Sequence, residues 1–293
     1  MKTTNFASLA LIAGAALALA APLRAEEPAA EVAPIKAEGY VAGVDGTFAP
    51  HAFPKLDGSV QGFNIDLAAA MSEKLGVPIK ISAMQFSGLV PAMAAGTLDY
   101  MGAPTTVTAE RAKTMLFTEG FMDSNFGVAT KAGAGLTSLD DLKGKTISAN
   151  KGSVYETWLN DHAAEMDLTV LVFGTQADAF EAVTSGRADA SLAGMTVAAW
   201  AGQQNPALDY AFDVPTGLTW SLAFRRDDYA TRNLMDKVLE CLKSDGTMAA
   251  LSEKWFKITP KAGETIVTPT KGYGVPEFEG YQDAAHEVGC TFG

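Results

Sequence analysis

The stretch that decides the fold runs from Gly62 to Arg111 and reads GFNIDLAAAMSEKLGVPIKISAMQFSGLVPAMAAGTLDYMGAPTTVTAER. Apolar residues recur at helical spacing in its first third, and Gly76 followed by Pro78 ends that run. An alternating segment at 79–82 indicates a strand, a second helical segment follows, and another strand is expected near 99–102. The stretch therefore predicts alternating helices and strands of the α/β class.

A polar turn closes this stretch, with hydroxyls at Thr105, Thr106 and Thr108 followed by Arg111. Thr108 is the expected N-cap of the next helix, which places Arg111 in the first turn. A helix start exposes unpaired N–H groups, and a guanidinium group suits a carboxylate because it can donate two parallel hydrogen bonds. The turn predicts a site for the anionic group of a small ligand. The alternative is an ordinary helix cap beside a solvated arginine.

A second alternating α/β unit follows along the chain. Strands are expected at 146–149, 168–173 and 189–192, with helices between them. Ser153 and Glu156 have the spacing of a capping box, so a helix is expected to begin at this serine. Ligands of open parallel sheets bind beyond the carboxyl ends of the strands, so two such units side by side predict a binding cleft between two lobes.

The N-terminal 39 residues differ in composition from the rest. Residues 1–25 combine Lys2 with a small-residue apolar run, which is typical of a secretory signal peptide and predicts export to the periplasm. The run is shorter than a typical membrane-spanning helix. Residues 26–39 are rich in alanine, proline and glutamate and are expected to form a flexible leader.

Length and charge restrict the class of partner. The chain has 293 residues and a formal net charge of −12, so it suits two modest domains, and nucleic acid or an anionic membrane is not expected as a partner. The histidines are scattered and none lies at ligand spacing to a cysteine, so neither a metal nor a cofactor is expected.

The chain has two cysteines, Cys241 and Cys290. Because an exported chain enters an oxidising compartment, they are expected to form a disulfide that ties a loop-rich C-terminal extension, residues 261–293, to the preceding helix. The alternative is two free thiols.

Seven short motifs in a fixed order carry a resemblance to a known family. They are DGTFAP (45–50), GFNIDL (62–67), FSGLVPA (86–92), TVTAERAK (106–113), LDDLKGK (139–145), GRADA (186–190) and DGT with KWF (245–256). Over roughly 41–256 the chain resembles the periplasmic solute-binding proteins of ABC importers, of the polar amino-acid type known as family 3. The resemblance implies a two-lobed, type II periplasmic-binding-protein fold. Lobe 1 is expected at 40–129 plus 219–260 and lobe 2 at 130–218.

The resemblance also implies a set of ligand-binding residues. Thr106, Arg111 and Ser153 match the positions that hold the ligand carboxylate in this family. Phe48 and Phe86 match aromatic residues that flank the ligand, although both could instead be lobe-packing residues.

One further position matches the family pattern, and three positions depart from it. Asp45 stands where some relatives contact a cationic side chain. Gly194 replaces the carboxylate that usually pairs with the α-ammonium group, Pro104 has no N–H to donate, and His51 stands where an aromatic residue is expected. His51 is interpreted either as a pH-sensitive ligand contact or as a surface-loop residue.

A missing partner for a buried ammonium group is costly. The departures therefore favour a ligand with an anionic group but without an ordinary α-ammonium group, such as a betaine-, ectoine- or opine-like compound. Phe48 and Phe86 would then attract a cationic nitrogen by their ring faces. The alternative is a standard amino acid whose ammonium group meets another residue.

The resemblance implies the binding component of an importer, which closes around a small molecule and docks as a monomer on an inner-membrane ABC permease. An enzyme on the same scaffold, such as a lyase or dehydratase, would need an acid or base in the cleft, and only Asp45 and His51 are available. Enzymatic activity is therefore not expected. A ligand sensor for a membrane receptor is a third reading, because sensing also uses lobe closure.

Overall fold

A computed structural model describes residues 30–292; the expected signal peptide lies outside the described residues. The first part of the chain forms β1 (Tyr40–Asp45), β2 (Phe53–Pro54), β3 (Val60–Gln61), α1 (Phe63–Leu75), β4 (Ile79–Met84), α2 (Phe86–Ala94), β5 (Tyr100–Thr106), α3 (Ala109–Ala112), β6 (Met115–Phe117) and β7 (Met122–Asp123). The middle part forms β8 (Phe126–Lys131), a 3₁₀ turn (Leu139–Leu142), β9 (Thr146–Asn150), α4 (Val154–Met166), β10 (Thr169–Phe173), α5 (Gln176–Thr184), β11 (Ala190–Gly194), α6 (Met195–Gln204) and β12 (Leu208–Val214). The last part forms β13 (Thr219–Arg225), α7 (Tyr229–Ser244) and α8 (Thr247–Phe256).

These strands form two main sheets, one in each lobe. In lobe 1 the order is β4-β1-β5-β13-β6, with β7 also paired to β13. In lobe 2 the order is β10-β9-β11-β8-β12. The first three strands of each sheet are parallel, and β13 and β8 run antiparallel to them. The two-lobed α/β fold expected from the sequence is therefore confirmed.

The start and end of α1 illustrate how local sequence sets this architecture. The helix ends at Gly76, which adopts a left-handed φ of 70°, so the expected end is correct. It begins after Gly62, whose φ is 140°; a Cβ there would lie 2.2 Å from the carbonyl oxygen of His51. Only glycine fits at this close approach.

The boundary between the lobes lies earlier than expected. β8, at 126–131, pairs with β11 and β12 of the second sheet. The chain therefore crosses to lobe 2 between Asp123 and Phe126, and the expected boundary at 129/130 falls inside a strand. The chain returns to lobe 1 between Val214 and Thr219. A strand-like segment by itself does not indicate which sheet it joins.

The described part of the leader packs against lobe 1. The Ala33 N–H donates to the carbonyl of Ala230, and the Glu31 carbonyl accepts from the Asn233 side chain. Lys36 forms an ion pair with Asp99 at 2.6 Å. Residues 30–39 therefore differ from the expected flexible leader, because their backbone and side chains find partners on lobe 1. Within residues 30–292, no helix is long and apolar enough to cross a membrane.

The C-terminal extension also belongs to lobe 1. Cys241 and Cys290 form the expected disulfide. The backbone N–H of Gly274 donates to Asp236, and the buried guanidinium group of Arg232 donates to the carbonyl of Gly280. The extension thus supplies backbone partners to charged groups that α7 buries.

Replacing both Cys241 and Cys290 with serine is expected to lower the free energy of unfolding by about 2–4 kcal/mol, because the bond closes a long loop in the unfolded chain. For a protein of this size the melting temperature should fall by roughly 5–15 °C. Calorimetry of the oxidised wild type, the reduced wild type and the double variant tests this. Equal melting temperatures in all three samples would contradict it.

Candidate functional site

A cavity lies between the two lobes, with about 320 Å³ of space not occupied by atoms when its opening to solvent is included. Lobe 1 contributes the ends of β1 and β5 and the start of α2, and lobe 2 contributes the end of β9 and the start of α4. Its lining residues are Asp45, Phe48, Phe86, Ala103, Pro104, Thr106, Arg111, Asn150, Ser153, Val154 and Tyr155. The cavity therefore lies at the carboxyl ends of parallel strands, as expected for this class of sheet.

Most of the residues singled out in the sequence line this cavity. They are Asp45, Phe48, Phe86, Pro104, Thr106, Arg111 and Ser153. His51 and Gly194 do not line it, and Ala103, Asn150, Val154 and Tyr155 line it without having been expected.

Arg111 is the cationic group of the cavity. Thr108 caps α3 as expected, since its hydroxyl accepts from the Arg111 N–H at 3.2 Å. The guanidinium group donates from Nη1 to the carbonyl of Thr106 and from Nη2 to the carbonyl of Gly152 in lobe 2. Burial lowers its pKa, an effect that Tyr155 partly offsets. A guanidinium group has five N–H donors, so donors remain for a ligand.

Phe86 positions this arginine. The guanidinium carbon lies 5.7 Å from the ring centroid of Phe86. One face of the ring therefore supports the cation of the protein itself. Phe48 is 7% exposed and packs edge-on against Trp220.

The end of β5 presents backbone and hydroxyl groups to the cavity. Thr106 is buried, and its hydroxyl forms a hydrogen bond with that of Ser124 at 2.7 Å. Pro104 lies within β5 but beyond Met101, the last β5 residue in register with β1. A proline is tolerated there because its missing N–H is not needed for the pairing of β5 with β1. The wall of the cavity consequently has no backbone N–H donor at this position.

The start of α4 faces the same cavity from lobe 2. Ser153 is its N-cap: the hydroxyl accepts from the Glu156 N–H and donates to the Asn150 carbonyl. A capping box predicts that the Glu156 side chain accepts from the Ser153 N–H. It accepts instead from the N–H of the preceding residue, Gly152. Ser153, Val154 and Tyr155 place the positive end of a 13-residue helix at the cavity.

Asp45 lies at the end of β1 and joins the two lobes. It is 2% exposed, and its Oδ1 accepts from the N–H and hydroxyl of Thr47. Its Oδ2 accepts from Nδ2 of Asn150 in lobe 2 at 2.9 Å. Both carboxylate oxygens are therefore hydrogen bonded before any ligand is considered.

His51 is neither a cavity residue nor a surface residue. It is fully buried, with Nδ1 3.0 Å from Asn64 Oδ1 and Nε2 2.8 Å from the hydroxyl of Thr196 in lobe 2. Burial lowers the pKa of the ring from its usual 6.5 to about 4. The reading of His51 as a surface-loop residue was wrong, because the loop folds inward and the ring contacts Thr196 of the opposite lobe.

Gly194 lies behind the wall of the cavity, where the lobes touch. A Cβ at this position would lie 2.6 Å from two ring carbons of Trp220 and 3.0 Å from the Tyr155 hydroxyl. Trp220 belongs to β13 of lobe 1, whereas Gly194 ends β11 of lobe 2. The indole ring therefore fills the space into which a side chain at 194 would project, a contact that the sequence did not indicate.

The structure has the lobes closed. Contacts between them include Asp45 with Asn150, Arg111 with Gly152 and His51 with Thr196. The Thr47 hydroxyl also accepts from the Gln176 N–H at 3.3 Å. Groups that line or adjoin the cavity thus also hold the lobes together.

Known proteins resemble the chain over this two-lobed part. The family model for bacterial extracellular solute-binding proteins, family 3, matches residues 40–258. The arginine-binding extracellular protein ArtP of Bacillus subtilis is 28% identical over 220 residues, which cover 74% of this chain and 85% of that protein.

Solved structures show the same relationship. An ancestral arginine-binding protein bound to arginine is 32% identical with a TM-score of 0.69, and the match covers 74% of this chain and 97% of that one. The ancestral amino acid-binding protein AncCDT-1, a precursor of cyclohexadienyl dehydratase, is 28% identical with a TM-score of 0.66, covering 74% and 94%. With a family model matched along both lobes and a cavity closed between them, the chain belongs to family 3 of the bacterial extracellular solute-binding proteins.

Proposed function

We propose that this protein is the extracytoplasmic binding component of an ABC importer and that it acts in the periplasm as a monomer. It closes around a small solute with an anionic group and presents the closed form to an inner-membrane permease. The named relatives bind amino acids, arginine among them, which supports an amino-acid-like ligand.

The observation that carries this proposal is the position of Arg111 in the closed cavity. Its guanidinium group, from lobe 1, meets the lobe 2 backbone at Gly152, next to the start of α4. A carboxylate placed there would accept from a cation of one lobe and from helix N–H groups of the other. Such a ligand stabilises the closed form because it binds both lobes at once.

The ligand is small. Eleven residues from the two closed lobes line its site, which leaves space for a small molecule only. We further propose that it departs from a standard α-amino acid, as betaine-, ectoine- and opine-like compounds do. The support is Trp220, which fills the space beside Gly194 and leaves no room there for an acidic side chain.

Replacing Gly194 with alanine is expected to weaken ligand binding by about tenfold or more. The added Cβ would meet the buried Trp220 ring in the closed form, and overpacking of this kind costs about 1–3 kcal/mol. Aspartate at 194 should be worse, so it should not create affinity for standard amino acids. Calorimetric titration checks this, with Gly88→Ala as the control because a Cβ there makes ordinary contacts. A gain in amino-acid affinity for Gly194→Asp would contradict the steric account.

An enzymatic function has some support from the similarity to a dehydratase precursor. Among the described residues that line the cavity, Asp45 is the acidic one, and both of its oxygens already accept hydrogen bonds. This arrangement favours binding over proton transfer. Incubation with each bound compound, followed by analysis for product, separates the two: stoichiometric recovery of the compound supports a binding protein.

A thermal-shift screen of the mature protein tests the proposed function. The panel comprises amino acids, betaines, ectoines and opines. A bound ligand stabilises the folded protein by RT ln(1 + [L]/Kd), and this raises the melting temperature. Shifts confined to compounds with an anionic group support the proposal. Shifts with neutral sugars or polyamines alone would overturn it. Stimulation of a permease's ATPase by the liganded protein would distinguish import from sensing.

A further inference from the structure

Asn150 has an unusual position in the cavity. It is the last residue of β9 in lobe 2, it is 2% exposed, and it lines the cavity together with Asp45 of lobe 1. Its Nδ2 donates to Asp45 Oδ2 at 2.9 Å. Its Oδ1 is buried and has no hydrogen-bond partner among residues 30–292.

The chemistry of the pair fixes which way this amide points. A carboxylate only accepts hydrogen bonds, so the atom of Asn150 that faces Asp45 must be the NH₂ group. The carbonyl oxygen is then turned away from Asp45. A buried amide oxygen without a donor is costly, and native structures normally satisfy such groups.

We infer that Asn150 binds the ligand, with Oδ1 accepting a hydrogen bond from an N–H group of the ligand. This inference rests on the proposed function and names a residue that selects the ligand class. The cavity then has two chemically different ends: Arg111 and the start of α4 for the anionic group, and Asn150 for an N–H donor.

The nearby carboxylate of Asp45 sharpens the expected donor. A cationic N–H group would gain from the negative charge behind Asn150, because charge-assisted hydrogen bonds are stronger than neutral ones. Primary and secondary ammonium, amidinium and guanidinium groups meet this requirement. A fully methylated, quaternary nitrogen does not, because it leaves Oδ1 unsatisfied. Of the proposed ligand types, those that keep an N–H, such as opine- or ectoine-like compounds, are therefore favoured over betaines.

Matched probe pairs test the inference by calorimetric titration of the wild type. Each pair has one carbon skeleton and differs only in methylation of its one basic nitrogen: glycine with N,N,N-trimethylglycine, L-proline with N,N-dimethyl-L-proline, and the best N–H ligand of the thermal-shift screen with its derivative permethylated at that nitrogen. The N–H member of each binding pair should bind at least tenfold more tightly. Equal or tighter binding of the methylated member would overturn the role of Asn150 and leave the proposed function standing.

Variants separate ligand contact from lobe closure. Asn150→Leu should weaken the N–H member at least tenfold more than the methylated member, so the ratio of their dissociation constants should approach one. Thr196→Val removes a contact between the lobes that lies outside the cavity, and it should weaken both members equally. If Asn150→Leu also weakens both equally, the residue serves closure alone and the inference is wrong. If neither these probes nor any compound of the thermal-shift panel binds the wild type, the proposed function itself fails.

Discussion

Replacing Arg111 with alanine is expected to weaken the binding of any carboxylate ligand by roughly 100-fold. Truncating one partner of a buried, hydrogen-bonded charge pair costs about 2–5 kcal/mol, and each 1.4 kcal/mol is tenfold in affinity. The change also removes the bond from Nη2 to the Gly152 carbonyl, one of the contacts that hold the lobes closed. Titration of the wild type and the variant with the best ligand of the thermal-shift screen measures the effect.

A second arginine provides the control for this experiment. Arg187 lies on lobe 2 with its guanidinium carbon 5.3 Å from the ring centroid of Phe173, and neither residue lines the cavity. Arg187→Ala removes the same charge and the same kind of ring contact, so it should leave affinity within about twofold of the wild type. An unchanged affinity in Arg111→Ala would remove the anionic-group site from the proposal. If both variants lose the same affinity for a neutral ligand, the cause is a general effect of removing a positive charge.

Ligand affinity is expected to fall as the pH is lowered from 7.5 to 5, by at most roughly 30-fold, because of His51. The ring is buried in the closed structure, and burial lowers its pKa from 6.5 to about 4. A depressed histidine pKa means that closure is favoured above 6.5 and progressively lost as the pH falls towards 4. The 30-fold limit applies when opening of the lobes returns the ring fully to water. Partial exposure of the ring gives a smaller change in affinity.

The hydrogen bonds of His51 specify its neutral form. Nδ2 of Asn64 donates to the Gly102 carbonyl, so its Oδ1 faces His51 and must accept from an Nδ1–H. Nε2 then accepts a hydrogen bond from the Thr196 hydroxyl. Because Thr196 lies at the start of α6, the positive end of this helix disfavours a second proton on the ring. The described groups packed on the ring are Asn64, Thr196 and the aromatic rings of Phe48, Phe63, Trp220 and Phe256. None of these carries a charge that would stabilise an imidazolium ion.

The pH profile of a His51→Gln variant tests this assignment. Glutamine keeps hydrogen-bonding capacity but does not titrate, so the ratio of its affinities at pH 7.5 and pH 5 should be close to one. Titrations use a ligand whose own groups do not titrate in this interval. If the wild type and His51→Gln lose affinity in parallel, another group causes the pH dependence.

Most of the fold follows from local sequence. The period of the apolar residues places α1, and Gly76 ends it where expected because a left-handed residue is needed there. The same reasoning missed the β2–β3 hairpin and β12. These strands are set by partners distant in sequence, and β8 was assigned to the wrong lobe for the same reason.

The candidate site divides in the same way. Thr108, Arg111 and Ser153 were recognised because a helix start is a local pattern, visible as a capping residue followed by a polar or charged one. Asn150 was missed, although a polar residue at the carboxyl end of an expected strand is a signal that could have found it. Nothing local to His51 or Gly194 indicates that each is buried against the opposite lobe.

The sequence by itself determined the family, the two α/β units, the disulfide and the end of the cavity that carries Arg111. Each depends on motifs, spacing or helix termini, which are properties of neighbouring residues. Only the tertiary structure decided that Trp220 fills the space at Gly194, that His51 seals the lobes and that Asn150 lines the cavity, with a buried carbonyl oxygen that has no hydrogen-bond partner among residues 30–292. These contacts join residues from different lobes, and they exist only when the lobes close, so no local pattern encodes them.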